Sequence, residues 1–381
     1  MKRKIAKAVN LICFFIFNRA ASVFTKVNKN KALFLSESHR NLDGNLKCVY
    51  DKLPEGIEKA VHVKGDRRNK SGISDTISVW LDMTTSAYIF LDDFYGLTSA
   101  MKVREGQQII QLWHGAGAYK KFGFSRINTG DKIERVHGGY RKYTMAVTSS
   151  DDIRGCYAEA FGIDVSKTAA TGIPRTDMFF DEELKECIRT KFFNEHPYLN
   201  GKKLILIAPT YRGRKVEDAD YDFDYADPDR LVEELGEEYA VLTKWHPALR
   251  NNIEKGRTGE KRCNHVYAFS DYKDINELLV VCDVLITDYS SVIFDYSLLN
   301  KPIVYFVYDK EDYADNRGLY YDFDEYIYGT VVEKREELAD AVRKEDMCSN
   351  LREEFNRKFM SACTGNSTEK VIKEAEVFYA E

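Results

Sequence analysis

One pattern constrains this chain more than any other. Short, uninterrupted apolar runs end in polar clusters and are followed by stretches with helical spacing. "KALFLSE" (31–37), "AYIFLDD" (87–93), "QQIIQLW" (107–113) and "YTMAVTSS" (143–150) form one such series. Apolar runs of this length without polar alternation are the mark of strands buried on both faces, and such strands belong to parallel sheets covered by helices. The segment "DDIRGCYAEAFG" (151–162) reads as one of those helices, with acid in its first turn and Gly162 just past its end.

A charged helix, "DEELKECIRTKFFNEH", then leads to Pro197 and Gly201, where a second series begins. "KKLILIAPTYR" (202–212), "YAVLTKWHP" (239–247), "HVYAFSD" (265–271), "VLITDYSS" (284–291) and "PIVYFVYD" (302–309) read as strands running into loops. "DPDRLVEELGEEY" is a helix with Asp227 as N-cap and Pro228 at its first position. "DINELLVVCD" and "VIFDYSLLNK" are further helices. The alternation predicts an α/β protein of two doubly wound, Rossmann-like domains facing each other across a cleft. A length of 381 residues matches two domains of roughly 150–200 residues each. The expected divisions are an N-terminal membrane-associating helix (1–27), a first domain (28–195), a second (196–360) and a C-terminal helix (361–381).

In open parallel sheets, ligands bind beyond the carboxyl ends of the strands. The notable polar residues fall there. His114 follows "QLW", with Gly115, Lys120 and Lys121 close behind; Arg212 follows "APTY"; Lys244, His246 and Pro247 end "LTKWHP"; Thr287, Asp288, Ser290 and Ser291 end "VLITDYSS". A histidine of ordinary pKa near 6.5 accepts a hydroxyl proton at neutral pH. Arginine is the natural fork for phosphate oxygens. Ser290 and Ser291 open a helix, so they read either as a phosphate cradle at its N-terminus or simply as its cap.

A formal charge of −5 argues against general nucleic-acid binding. Local basic clusters, "KRK" (2–4), "KGDRRNK" (64–70) and "YKKFGFSR" (119–126), suit a phosphorylated substrate or an anionic membrane. Eight scattered cysteines lack Cys-x-x-Cys spacing, which argues against zinc and for a reducing compartment. Neither a metal nor a cofactor is expected. Gly115-x-Gly117 has Lys120 where a dinucleotide fingerprint wants glycine, and no P-loop pattern occurs. The aspartate-rich stretch 217–229 reads as a solvated loop leading to Asp227, with a divalent-cation site as the alternative. The first 27 residues, basic and then apolar, read as an interfacial or docked helix, a core helix or a cleaved signal; Leu11–Phe17 is shorter than the ~20 residues of a membrane span.

Taken together, "QLWHGAGAYKKFG", "TGIPRTD" (171–177), "APTYR", "KWHP" and "ITDYSSVIFDY…KPIVYFVYD" resemble the CDP-glycerol glycerophosphotransferase family, which includes teichoic acid primases and polymerases, over about residues 100–330. The resemblance implies a GT-B-type fold. It also implies transfer of glycerol phosphate from CDP-glycerol to a hydroxyl of a polyprenyl-pyrophosphate-linked acceptor, with release of CMP, at the cytoplasmic face of the membrane. Carried over by motif, His114 is the base, and Arg212 and His246 hold the donor phosphates. Ser290 and Ser291 cradle the pyrophosphate, with Asp288 or Asp295 supporting the loop. Arg175 of "GIPR" lies on the acceptor side. Many members place Thr-Pro after Trp-His-Gly, whereas this chain has Ala116-Gly117-Ala118. Its length matches a primase or short-chain transferase. CDP-ribitol or a nucleotide sugar as donor, and a non-enzymatic binding module, are the alternatives.

Overall fold

The computed structural model describes residues 2–63, 72–129, 135–213, 219–249, 265–310 and 318–377. The basic cluster 64–70 and the side chains of Lys2, Arg3 and Lys4 lie outside the described residues. The chain forms two compact units, Met1–Asp177 with Ser361–Glu381, and Met178–Met360.

Each unit is built on a six-stranded parallel sheet. In the first unit the strands are β1 (Asn28–Leu35), β2 (Glu58–His62), β3 (Ser86–Leu91), β4 (Gln108–Gln111), β5 (Met145–Val147) and β6 (Thr168–Ala169), in the order β2-β1-β3-β4-β5-β6. In the second they are β7 (Lys203–Ile207), β8 (Tyr239–Thr243), β9 (Val266–Ala268), β10 (Val284–Thr287), β11 (Ile303–Phe306) and β12 (Thr330–Val332), in the order β12-β11-β10-β7-β8-β9. The predicted apolar runs are the buried ones: Ala32–Leu35, Ile89–Leu91, Leu204–Leu206 and Ala240–Leu242 have no solvent exposure.

These orders locate the ligand-binding ends. Strand order reverses between β1 and β3 in the first sheet and between β7 and β10 in the second. At such a switch point neighbouring loops leave in opposite directions and open a crevice. The loops after β1 and β3 carry His39 and Asp92; those after β7 and β10 carry Arg212 and Asp288.

The divisions differ from those expected. Residues 178–195 belong to the second unit because helix Glu182–Glu195, capped by the Asp181 carboxylate, buries Ile188 and Phe192, and the Phe192 ring lies 5.6 Å from that of Phe269. The C-terminal segment is not separate. It returns to the first unit, where the Asp177 carboxylate accepts the N–H groups of Ser367 and Thr368 at 2.7 and 2.9 Å and caps helix Ser367–Glu374.

The N-terminal residues form α1 (Lys2–Phe24), which docks on helix Ile73–Thr85. Phe14 is fully buried, and the Phe14 and Phe17 rings lie 6.0 and 5.4 Å from Trp80. Buried Asn18 donates to Thr84 Oγ1 and accepts from the Lys102 N–H. The other side of α1 leaves Val9, Ile12, Ile16 and Val23 exposed. The apolar run is longer than Leu11–Phe17 promised: Ala6–Phe24 is long and apolar enough, by length and composition, to cross a membrane.

Candidate functional site

In the first unit the chain leaves β4 and kinks at Trp113, whose φ of 57° is left-handed. Such a backbone costs a bulky residue about 1–2 kcal/mol, so it persists only where neighbours hold it. Here the Trp113 N–H donates to Gln111 Oε1 at 2.9 Å, and its carbonyl accepts from Asn45 Nδ2 at 2.7 Å. The indole stacks on Phe122 at 4.7 Å and meets the His114 ring at 4.3 Å. The loop beyond is tied down by Tyr157, whose hydroxyl donates to the carbonyls of Gly115 and Gly117.

The kink presents His114. Its Nδ1 lies 3.2 Å from the carbonyl oxygen of Asp92. A carbonyl only accepts, so this bond assigns the proton to Nδ1 and the lone pair to Nε2. The ring is reachable from solvent, yet the protein packed around it pushes its pKa below the ordinary 6.5. The Asp92 contact opposes that shift, and the positive charges of Arg175 and His39 add to it. His114 is therefore a neutral acceptor at neutral pH.

His39 shows the opposite behaviour. Its Nδ1 lies 2.7 Å from an Asp43 oxygen and 2.9 Å from the buried Asp92 carboxylate. Asp43 and then Asp92 raise its pKa to about 10, so it is an imidazolium at neutral pH. Among the described residues neither Asp92 oxygen has a well-aligned hydrogen bond, which makes this contact mainly ionic. Lys120 and Lys121 are half-buried on the His114 loop. Half-buried Arg175 donates its backbone N–H to Asn45 Oδ1 at 2.9 Å.

In the second unit Arg212 joins the loops at the β7/β10 switch point. Its guanidinium makes a fork to Asp309 at 2.5 and 2.9 Å and donates to Asp288 at 2.7 Å and to the Thr210 carbonyl at 3.0 Å. The Tyr221, Tyr289 and Tyr308 rings lie 5.3–5.4 Å from it. Instead of presenting its fork to a phosphate, Arg212 is engaged by two carboxylates and fixes the loops. Asp288 is 1% exposed, and its other oxygen accepts the Thr210 N–H at 2.7 Å. Asp295 is also buried, on the following helix.

His246 and Pro247 are exposed. His246 Nδ1 accepts the Ala248 N–H at 3.1 Å, which puts the neutral ring's proton on Nε2, the reverse of His114. Lys244 Nζ donates to the carbonyls of Ser270 and Tyr272 at 2.8 and 2.6 Å, neutral acceptors that position its charge without cancelling it. Thr287 is 1% exposed, and its hydroxyl bonds the Ala208 carbonyl, so its place is inside the sheet rather than on its rim.

The serine cradle differs from expectation. The helix after β10 is short, Val292–Ser297. Its first N–H groups are already met: Val292 by Ser290 Oγ at 3.4 Å, Ile293 by the Ser290 carbonyl at 3.4 Å and Phe294 by the Ser291 carbonyl at 3.2 Å. A six-residue helix has a small macrodipole. All three bonds are local to the turn, and only the two to Ser290 are longer than an ordinary N–H···O bond. Among the described residues, no three His, Cys, Asp or Glu side chains are grouped to hold a metal ion.

Sequence reasoning missed Asn45, Asp92, Asp309 and Tyr157. "AYIFLDD" did end a predicted strand in two aspartates, the one signal that pointed to Asp92.

The model of the family described as CDP-glycerol:poly(glycerophosphate) glycerophosphotransferase matches residues 16–376. The chain is 38% identical over 362 residues to a teichoic acid poly(ribitol-phosphate) polymerase of Bacillus spizizenii, covering 94% of this chain but 58% of that protein's length. It is 30% identical to a teichoic acid ribitol-phosphate primase of the same organism, covering 92% of each. Among solved structures, the wall teichoic acid polymerase TagF aligns with a TM-score of 0.71 at 21% identity, over 99% of this chain and 98% of that one, a likeness of fold.

Proposed function

Because this chain belongs to the CDP-glycerol:poly(glycerophosphate) glycerophosphotransferase family, we propose that it transfers glycerol phosphate from CDP-glycerol to a hydroxyl of a polyprenyl-pyrophosphate-linked acceptor, releasing CMP, in the synthesis of teichoic acid or a related surface polymer. The observation that carries this reading is the pair of opposed histidine tautomers. His114 offers a lone pair at Nε2, and His246 a proton at Nε2. The first suits a proton acceptor and the second a phosphate hydrogen-bond donor.

In this mechanism His114 Nε2 takes the proton of the attacking hydroxyl. The hydroxyl oxygen bonds to the β-phosphorus, which bears the glycerol, and the bridging P–O bond breaks, its electron pair leaving with CMP. His246 Nε2–H, Lys244 and the Ser290–Ser291 turn stabilise the charge that develops on the departing phosphate, a positioning and electrostatic task. Arg212 holds the turn through Asp288. Lys120, Lys121 and Arg175 attract the anionic acceptor. The exposed apolar side of α1 supports a location at the cytoplasmic membrane surface, the side on which a polyprenyl-linked acceptor is expected.

A second donor has its own support. The 38% identical relative is a poly(ribitol-phosphate) polymerase, which supports CDP-ribitol as the alternative donor in the same chemistry. Incubating the protein with CDP-glycerol, CDP-ribitol and UDP-sugars beside a polyprenyl-pyrophosphate-linked saccharide, with mass-resolved products, decides among them. CMP release with acceptor gain of glycerol phosphate supports the proposal, and gain of ribitol phosphate supports the second reading in its place. Turnover of a UDP-sugar alone overturns it.

A further inference from the structure

Asn45 lies in neither of the two loops that carry His114 and Arg175, yet it touches both. It stands in the first turn of α2 (Gly44–Lys52) and is 3% exposed. Its Nδ2 donates to the Trp113 carbonyl at 2.7 Å, and its Oδ1 accepts the Arg175 N–H at 2.9 Å. The amide orientation is unambiguous, because one partner can only accept and the other can only donate. The sequence separations are 68 and 130 residues, so a single side chain joins three distant segments.

The Trp113 bond is the consequential one. Trp113 takes the left-handed conformation that turns the chain out of β4, and His114 is the next residue. With Gln111 holding its N–H and Asn45 its carbonyl, both backbone polar groups of that strained residue are set by side chains. If the Asn45 bond is lost, the peptide relaxes toward an ordinary backbone and the imidazole swings with it. Resting on the reading of His114 as the base, we propose that Asn45 is a positioning residue for the transfer reaction: it locks the Trp113 kink that aims His114 and couples it to the Arg175 loop. A displacement of about 1 Å at a reacting group costs on the order of 100-fold in rate.

The test is a double-mutant cycle on the full chain, using whichever CDP-polyol the donor panel shows to be turned over. Asn45→Ala removes both bonds. Asn45→Asp keeps an acceptor for Arg175 and sets a carboxylate oxygen against the Trp113 carbonyl, so it isolates the kink and serves if the alanine variant does not fold. Both are expected to lower kcat about 10–100-fold with the donor KM within about twofold. In a His114→Ala background, either change is expected to alter residual turnover less than about twofold, because an absent base needs no aiming. Equal losses in both backgrounds mark a merely structural residue and overturn the proposal. So does wild-type kcat in both Asn45 variants while His114→Ala is slow, an outcome that leaves the base assignment standing. Full turnover by His114→Ala overturns the base assignment itself, and this inference with it.

Discussion

Replacing Asp288 with asparagine isolates the electrostatics that organise the second unit's site. The change keeps shape and leaves an oxygen for the Thr210 N–H, now bonded at 2.7 Å. It turns the other oxygen into an NH2 group facing Arg212 Nη1, a donor against a donor, where a 2.7 Å ion pair stood. Removing one partner of a buried ion pair costs about 3–5 kcal/mol. Two facts place this case lower. The Arg212 side chain is 18% exposed, and Asp309 still holds its other edge. A loss of about 2–3 kcal/mol follows, which for a unit of this size lowers Tm by about 4–12 °C at roughly 2–4 °C per kcal/mol. Thermal unfolding of the full chain, followed by circular dichroism, is the assay. The transition of the second unit is expected to move and that of the first to stay. Asp309→Asn is expected to act the same way, and the double variant to be non-additive because both changes fall on one guanidinium. A second-unit Tm within about 1 °C of wild type for Asp288→Asn would show that Arg212 does not depend on its buried partner.

Two further outcomes are accessible. His39 has a folded-state pKa raised to about 10 from an ordinary 6.5 by Asp43 and Asp92. Its contribution to stability is therefore fully present below pH 6.5 and lost as pH rises through about 10. Wild-type Tm is expected to fall more steeply over that window than the Tm of His39→Gln, and added salt is expected to narrow the gap, since Asp43 is exposed; parallel profiles would contradict the ion-pair assignment. The exposed Ile12 and Ile16 of α1 test membrane association: Ile12→Asp with Ile16→Asp is expected to abolish co-sedimentation with anionic phospholipid vesicles while Tm is kept, and undiminished sedimentation would refute that role.

The long buried strands were legible because each contains a continuous apolar run, as in "ALFL" and "LILIA". β2, β6 and β12 were not. Their sequences, "EKAVH", "TA" and "TVV", are short and only partly buried, so they leave no apolar run to detect. The helix caps were legible because they are local: Asp227 does cap Pro228–Leu235 through the Arg230 N–H, and Gly162 ends helix Arg154–Phe161 at a φ of 61°. The strand-end positions of His114, Arg212 and His246 were readable for the same reason. What lay out of reach was long-range. Whether Arg212 faces a phosphate or a carboxylate depends on Asp309, 97 residues away. The tautomer of His114 depends on a carbonyl 22 residues upstream. Asn45 sits in "LDGNLK", a stretch with no apolar pattern and no recognisable motif, and its role exists only once three loops meet. The departure at Ala116-Gly117-Ala118 is explained by packing: Ala116 and Ala118 are buried, and Gly117 has a φ of 64°.

The most direct test of the account is the His114→Ala variant, measured for turnover and for donor Kd in parallel. The account expects most turnover to vanish while the Kd for the CDP-polyol stays nearly unchanged, because the imidazole accepts a proton and does not grip the donor. Near-wild-type turnover, or a turnover loss explained wholly by weakened donor binding, would contradict it.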